Sequence, residues 1–385
     1  MIDPTQPVAC VLGSIDLIRP LGIAGVPCVA VAPPDSHVHY SRYVKDRVEW
    51  SDPWTDGDAL AERLLAFAER FTSLPVLFYE EDRDLLFVSR ERERLRTGFR
   101  FVVADATLVE DVVDKARFEA LARRLDLPVP RSAVLAPLPD EVPALDIEFP
   151  VIAKPLTRRE FGRWGDATAY AKARRIDGPD HLRRLWPTLR EIGLDLLVQE
   201  LVSGPETRIE SYHAYVGAGG ETVAEFTGRK IRTRPREYGF STAVEITDVP
   251  DVTALGRSII ARLGLEGVAK LDFKRAADGR LVLLEVNPRF SLWHHPAALA
   301  GVNLPALVYA DLTNQPRPPV HPVRSGVRWV QDIRDARAAR EQGLSLRRWI
   351  PWAIAAEAKS TFAWSDPMPF FRGVGWNRLR RSLPL

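Results

Sequence analysis

The sequence predicts an α/β chain: an N-terminal parallel sheet covered by helices, followed by a region built on antiparallel strand pairs. Three observations predict this. From Val8 to Tyr79, short and mostly apolar runs alternate with amphipathic stretches, as expected for strands buried on both faces and joined by crossover helices. Further on, Val268–Phe273 and Leu283–Arg289 flank a polar stretch containing Asp278-Gly279, which reads as a hairpin with those two residues as a type I′ turn. At 385 residues the chain is too long for one ordinary core, so two or three packed domains are expected.

Val8–Leu12 reads as a buried strand, and Gly13-Ser14 opens a helical segment running to Ala24. Val26–Val31 is a second strand ended by Pro33-Pro34. Ala59–Phe71 reads as a helix and Pro75–Tyr79 as a third strand. The Gly13 turn lacks the Gly-x-Gly-x-x-Gly dinucleotide pattern, and no Gly-x-x-x-x-Gly-Lys-Ser/Thr loop occurs. A second region begins near Val102. There Phe118, Leu121, Ala122 and Leu125 mark one helical face after Asp114-Lys115, and Leu127–Pro130 ends that helix. Glu148–Pro155 ends a strand at Lys154, and polar Thr157–Thr168, with Gly162 and Gly165, suits a mobile loop. Leu194–Leu201 is another strand, leading into Ser203-Gly204-Pro205-Glu206. From about Asn314 the chain is rich in Pro, Arg and Trp with little periodicity, and no internal repeat is visible.

The composition, 46% hydrophobic and 27% charged, is that of a globular protein. Lys+Arg 53 against Asp+Glu 51 argues against a general polyanion binder, so no nucleic-acid partner is expected. Cys10 and Cys28 sit in apolar segments without metal spacing and read as buried thiols of a reducing compartment. No basic stretch with a following apolar run marks a signal peptide, and no apolar run is long enough to span a bilayer, so a cytoplasmic location is expected.

If Asp278-Gly279 is the turn, Asp272 faces Glu285 and Lys270 faces Asn287, all four on one face of the hairpin. Leu271, Phe273, Leu284 and Val286 then form the apolar face. Opposed carboxylates repel unless a positive charge sits between them, and Asp, Glu and Asn oxygens suit Mg²⁺ alongside phosphate oxygens. A solvated polar face would leave the facing acids and the Asn-Pro-Arg ending unexplained.

With these residues the chain resembles the ATP-grasp superfamily, of the carboxylate–amine ligase type seen in D-aspartate ligases and the large subunit of carbamoyl-phosphate synthase. The resemblance runs from about Thr107 to Leu312. It is carried by Asp114-Lys115, Phe149-Pro-Val-Ile-Ala-Lys154-Pro, Val198-Gln199-Glu200-Leu-Val-Ser-Gly-Pro-Glu206, Lys270-Leu-Asp272-Phe and Leu284-Glu285-Val-Asn287-Pro-Arg289, in that order. It implies an N-terminal α/β domain over 1–105, a two-lobed ATP-grasp domain with antiparallel sheets over 106–315 and a hinge near 199–203. Residues 316–385 would then be an extension packing on the ligase domain. It also implies that Lys115 and Lys154 contact ATP phosphates, that Gln199, Glu200 and Val202 bind adenine at the hinge, and that Glu206 takes the ribose hydroxyls. Asp272, Glu285 and Asn287 would hold two Mg²⁺ ions, with Mn²⁺ as a substitute. Arg289 would stabilise the transferring phosphoryl group, and Lys270 shares its face.

Thr227–Ser241 carries five basic residues within eight positions, Arg229 to Arg236. Arg232 and Arg234 would share a face if the segment is extended and are the candidates for binding the substrate acid. The loop Arg158–Gly165 departs from the family's Gly/Ser-rich phosphate loop. It is bulky and basic, which brings Arg163 and Trp164 into consideration as groups that reach the nucleotide on closure. His294-His295 is expected at the rim of the acceptor pocket. Trp349, Trp352, Trp364, Phe370, Phe371, Trp376 and Arg378–Arg381 are expected to pack back on the ligase domain rather than rest on a membrane surface.

The expected activity is ATP-dependent joining of a small carboxylate and an amine, with amino acids or peptides as substrates. It would proceed through an acyl phosphate and release ADP and phosphate. A carboxylase, a small-molecule kinase and a non-catalytic ATP-binding regulator are the competing readings, and a homo-oligomer is compatible with all of them.

Overall fold

The computed structural model describes residues 3–168 and 170–375. Its first sheet has strands β1 (Ala9–Leu12), β2 (Cys28–Ala32), β3 (Val44–Glu49) and β4 (Val76–Tyr79), all parallel, in the order β3-β2-β1-β4. β1, β2 and β4 are buried along their whole length, as their apolar sequences require. β3 was not legible in the sequence. It is the edge strand Val-Lys-Asp-Arg-Val-Glu, whose charged side chains protect an open sheet edge. Ser14 caps the Ile15–Ile23 helix, its side chain accepting from the Asp16 amide. Cys10 and Cys28 are free and buried in this layer.

The second sheet is small and antiparallel, in the order β5 (Ser132–Leu135), β8 (Leu196–Glu200), β6 (Val151–Pro155), β7 (Arg174–Ile176). It has its own core around Trp164, Ile176, Trp186 and Val198. The segment expected to be a mobile loop is instead a 3₁₀ turn, Arg158–Glu160, running into the Phe161–Ala167 helix. Trp164 is its buried anchor, donating from Nε1 to the Ala171 carbonyl at 3.1 Å.

The third sheet has seven strands: β9 (Ile209–Val216), β10 (Thr222–Arg234), β11 (Phe240–Thr247), β12 (Gly267–Arg275), β13 (Leu281–Asn287), β14 (Arg328–Val330) and β15 (Ala358–Lys359), in the order β13-β12-β9-β10-β11-β14-β15. Its ladders are antiparallel except β14–β15. The region without visible periodicity is therefore structured: it supplies two strands and the Asp332–Glu341 and Leu346–Ile354 helices. One continuous core joins Val8, Cys10 and Leu12 of the first sheet to Leu271, Phe273, Leu283 and Val286 on one face of the third.

The hairpin departs from expectation in an instructive way. Ala276 and Arg280 close a three-residue loop: the Ala276 amide donates to the Arg280 carbonyl at 2.8 Å, and Gly279, at φ 89°, occupies the left-handed position that favours glycine. That loop shifts the pairing by one, so Phe273 faces Leu283. A bulge between Asp272 and Phe273 then shifts it back, and Asp272 faces Glu285 as expected. The extra residue is Leu284. It leaves the apolar face to Leu283, which is fully buried, and lines a cavity.

Candidate active site

Alternation along β12 sends Leu271 and Phe273 into the core and Lys270 and Asp272 to the other face, where Ser211 and His213 of β9 lie opposite Asp272 and Lys270. Lys270 and Ser211 both bond to Asp272, and the Lys270 ammonium lies 3.9 Å from Glu285 Oε1. One buried lysine thus supplies positive charge to both acids. Burial alone would raise the Glu285 carboxyl, but Lys270, Lys172 and Arg158 together hold it well below its ordinary range.

Across the cleft, Lys154 at the end of β6 donates from Nζ to Gln199 Oε1 at 3.1 Å, and Lys115, in the first turn of the Lys115–Arg124 helix, donates to the Leu156 carbonyl at 2.9 Å. Burial, with Lys154 and Arg158 nearby, lowers Lys115 to about 7, and burial lowers Lys154 as well. Lys115, Lys154, Arg158, Gln199, Glu285 and Asn287 line one cavity of about 60 Å³. A larger cavity of about 440 Å³ shares no lining residue with it and includes Leu201, Ser203, Glu206 and Lys274. Glu206 lies 3.6 Å from the Lys274 ammonium. The Glu200 side chain accepts from the Glu148 amide at 3.3 Å, and neither Glu200 nor Val202 lines these two cavities.

Arg289 is buried and bound on several sides. It reaches Asp82 Oδ1 from Nε at 2.5 Å, the Glu80 carbonyl from Nη1 at 2.8 Å and Asn287 Oδ1 from Nη2 at 3.2 Å. Asp82, in the first turn of the Asp82–Arg90 helix, also meets Arg158 Nε at 2.8 Å. Burial would raise Asp82, yet the two arginines bring it down to about 2. Asp82 carries no local sequence signal, because its partners stand far away along the chain. Lys172 was also missed. Its ammonium lies 4.7 Å over the Phe240 ring, and burial with Lys230 nearby lowers it to about 7.

The donor types are those a hard cation takes: Asp272, Glu285 and Asn287 present oxygens on adjoining strands, of which Asn287 Oδ1 accepts from Arg289 and Asp272 from Lys270 and Ser211. Among the described residues no three His, Cys, Asp or Glu form a metal cluster, so a cation here would need Asn287 and ligand phosphate oxygens as well.

Other expectations are redirected. Arg232 makes a two-pronged ion pair with fully buried Asp335, at 2.9 and 2.7 Å, and stacks 4.0 Å from the Trp352 ring. Arg234 pairs with Glu341 at 2.9 Å and Arg229 with Glu245 at 2.7 Å. Three of the five cations of the basic run are thus paired with acids elsewhere in the chain, while Arg232 and Arg236 line the larger cavity. Arg163 bonds to the Ile192 carbonyl and Trp164 is core, so neither faces the lysines. His294 and His295 are buried rather than at a rim, and His295 Nδ1 lies 2.9 Å from Asp16. Trp349 and Trp352 pack against Ala243 and Val330, whereas Trp364 and Phe371 are exposed. Trp376 and Arg378–Arg381 lie outside the described residues. Among the described residues no helix is long and apolar enough to cross a membrane.

A family model described as ATP-grasp in the biosynthetic pathway with Ter operon matches residues 195–335. The D-alanine–D-alanine ligase of Pseudomonas entomophila is 26% identical over 212 residues, covering 52% of this chain and 64% of that protein. The D-aspartate ligase of Enterococcus faecium is 23% identical over 244 residues, covering 58% of this chain and 55% of that one. The chain thus spans less than two thirds of the length of these curated relatives. The structure of an L-amino acid ligase from Bacillus licheniformis superposes with a TM-score of 0.61 at 13% identity, over 83% of this chain and 79% of that one.

Proposed function

We propose that this chain, which belongs to the ATP-grasp superfamily, is an ATP-dependent carboxylate–amine ligase acting on small substrates, an amino acid or short peptide among them. One observation carries the reading. Lys115, Lys154 and Gln199 meet Glu285 and Asn287 around a single cavity, the former from the small sheet and its preceding helix, the latter from the seven-stranded sheet. Cations on one wall and oxygen donors on the other suit a polyphosphate and its metal between two lobes. Asp272, Glu285 and Asn287 would hold Mg²⁺, two ions on this reading and replaceable by Mn²⁺. Held by these residues, Mg²⁺ would supply positive charge against the phosphate oxygens during phosphoryl transfer.

The substrate carboxylate oxygen attacks the terminal phosphorus of ATP, the bond to ADP breaks, and an acyl phosphate forms. An unprotonated amine then attacks the acyl carbon, phosphate leaves with its bonding electrons, and the amine loses a proton as the amide forms. Arg289 lines neither cavity and is held by Asp82, Glu80 and Asn287; on this reading its charge, fixed behind Asn287, offsets the negative charge that develops on transfer. Glu200, Val202 and Glu206 belong to the adenosine end of this reading, with Glu206 in the larger cavity.

ADP release measured over a panel of amino acids and short peptides, with and without hydroxylamine, tests it. ADP and a hydroxamate that depend on one carboxylic acid are expected. Steady ADP release with a hydroxyl compound, or none with any acid, would overturn the ligase reading.

A further inference from the structure

The strand that delivers Lys154 is not followed by a small-residue turn. Thr157-Arg158-Arg159-Glu160-Phe161-Gly162-Arg163-Trp164 folds as a 3₁₀ turn and helix, held down by buried Trp164 and by Phe161 packed edge-on against Phe240 at 5.4 Å. The segment is thus a pair of helical turns rather than an open small-residue loop. Of its three arginines, Arg163 is spent on the Ile192 carbonyl, while Arg158 lines the cavity with Lys115 and Lys154.

We propose that Arg158 is a phosphate-binding side chain of this cleft, aimed into it by Asp82, and that the pair takes the place of a backbone phosphate loop. The proposal rests on the nucleotide reading of the cleft. Asp82 joins three parts of the molecule: its own helix at the end of the parallel sheet, Arg289 after β13 through Oδ1, and Arg158 of the small lobe through Oδ2. Arg289 is locked by its other partners, so Asp82 is a fixed post for the Arg158 guanidinium, whose side chain is 38% exposed on the small lobe. The pair holds a guanidinium at the edge of the site. Two lysines carry charge without directional demand, whereas a guanidinium can bind two oxygens of a terminal phosphate at once. Asp82 is a positioning residue, and Arg158 is the group that touches the ligand.

The test compares ADP with a non-hydrolysable ATP analogue carrying a β–γ imido bridge, each titrated calorimetrically with Mg²⁺ into the full chain. Arg158→Ala should weaken the analogue about thirtyfold, as expected for one lost charge-assisted contact, and ADP by no more than about threefold. Arg158→Lys should recover part of the loss. Asp82→Asn should give a smaller loss in the same direction and faster hydrogen exchange over residues 156–165, which bound analogue slows again. Circular dichroism of each variant separates folding from binding, and Arg158→Gln serves if the alanine variant is unfolded. An unchanged analogue-to-ADP affinity ratio in the folded variants would overturn the role of Arg158. Failure of the wild-type chain to bind either nucleotide would instead overturn the nucleotide reading itself.

Discussion

Asp272 and Glu285 stand directly opposite each other on β12 and β13, with Lys270 bonded to the first and 3.9 Å from the second. Two acids at paired positions destabilise a hairpin unless cations offset them, and here Lys270, Lys172 and Arg158 together hold the Glu285 carboxyl well below its ordinary range. Glu285→Gln takes the counter-charge from these buried cations and should lower the melting temperature while lowering turnover by about a hundredfold or more. Chelation of the wild-type protein should abolish activity, and Mg²⁺ should restore it. Normal turnover by the variant at ordinary Mg²⁺ would remove the metal assignment.

Arg232 and Arg234 should part company on substitution. Asp335 is fully buried and also accepts from Thr242 Oγ1 and Trp349 Nε1, both at 2.7 Å. Removing its guanidinium leaves a buried charge uncompensated, so Arg232→Ala should cost roughly 3–5 kcal/mol in urea denaturation. The Arg234–Glu341 pair is partly exposed, and Arg234→Ala should cost at most about 1 kcal/mol. Neither should raise the KM for the acid in folded protein. A selective KM rise in Arg234→Ala, at unchanged stability, would return the acid site to this strand.

Nucleotide binding should fall as pH rises through neutrality. Lys115 and Lys172 are both lowered to about 7, chiefly by burial, so in the free protein each loses its proton on going from pH 6 to pH 8. A bound polyphosphate favours the charged forms and pulls these values up, so binding near pH 8 takes up protons. Calorimetry in buffers of different ionisation enthalpy should report net proton uptake that disappears by about pH 6. Proton release at pH 8 would contradict this assignment of the cationic wall.

Gly279→Ala should destabilise the protein by about 1 kcal/mol, since φ of 89° disfavours a side chain although the space around it is open. Turnover per folded molecule should not change, because the bulge between turn and site sets the Asp272–Glu285 pairing. A loss of specific activity would show that the turn, not the bulge, sets the register.

What was legible in the sequence was what short-range patterning determines. The apolar runs of β1, β2 and β4 announced a buried parallel sheet, and alternation placed Lys270 and Asp272 on one face and Leu271 and Phe273 on the other. The facing of Asp272 and Glu285 was obtained through two one-residue differences that cancel, the longer loop and the bulge. Only Leu284, caught between them, was assigned to the wrong face. Long-range charge pairing was not legible. Asp82 meets Arg289 from 207 positions away and Asp335 meets Arg232 from 103, and no local periodicity marks either. A basic run therefore looked like a binding patch until its distant acids appeared, and the acid that orders the site stayed hidden.

Activation of a carboxylate by phosphorylation leaves an isotopic trace in the released phosphate. The acid that supports ADP release is labelled with oxygen-18 in its carboxylate and turned over with ATP and the amine, and the released phosphate is analysed by mass spectrometry. Transfer of one labelled oxygen into inorganic phosphate for each amide formed is the predicted result. Amide formation with unlabelled phosphate would contradict an acyl-phosphate route and the account built on it.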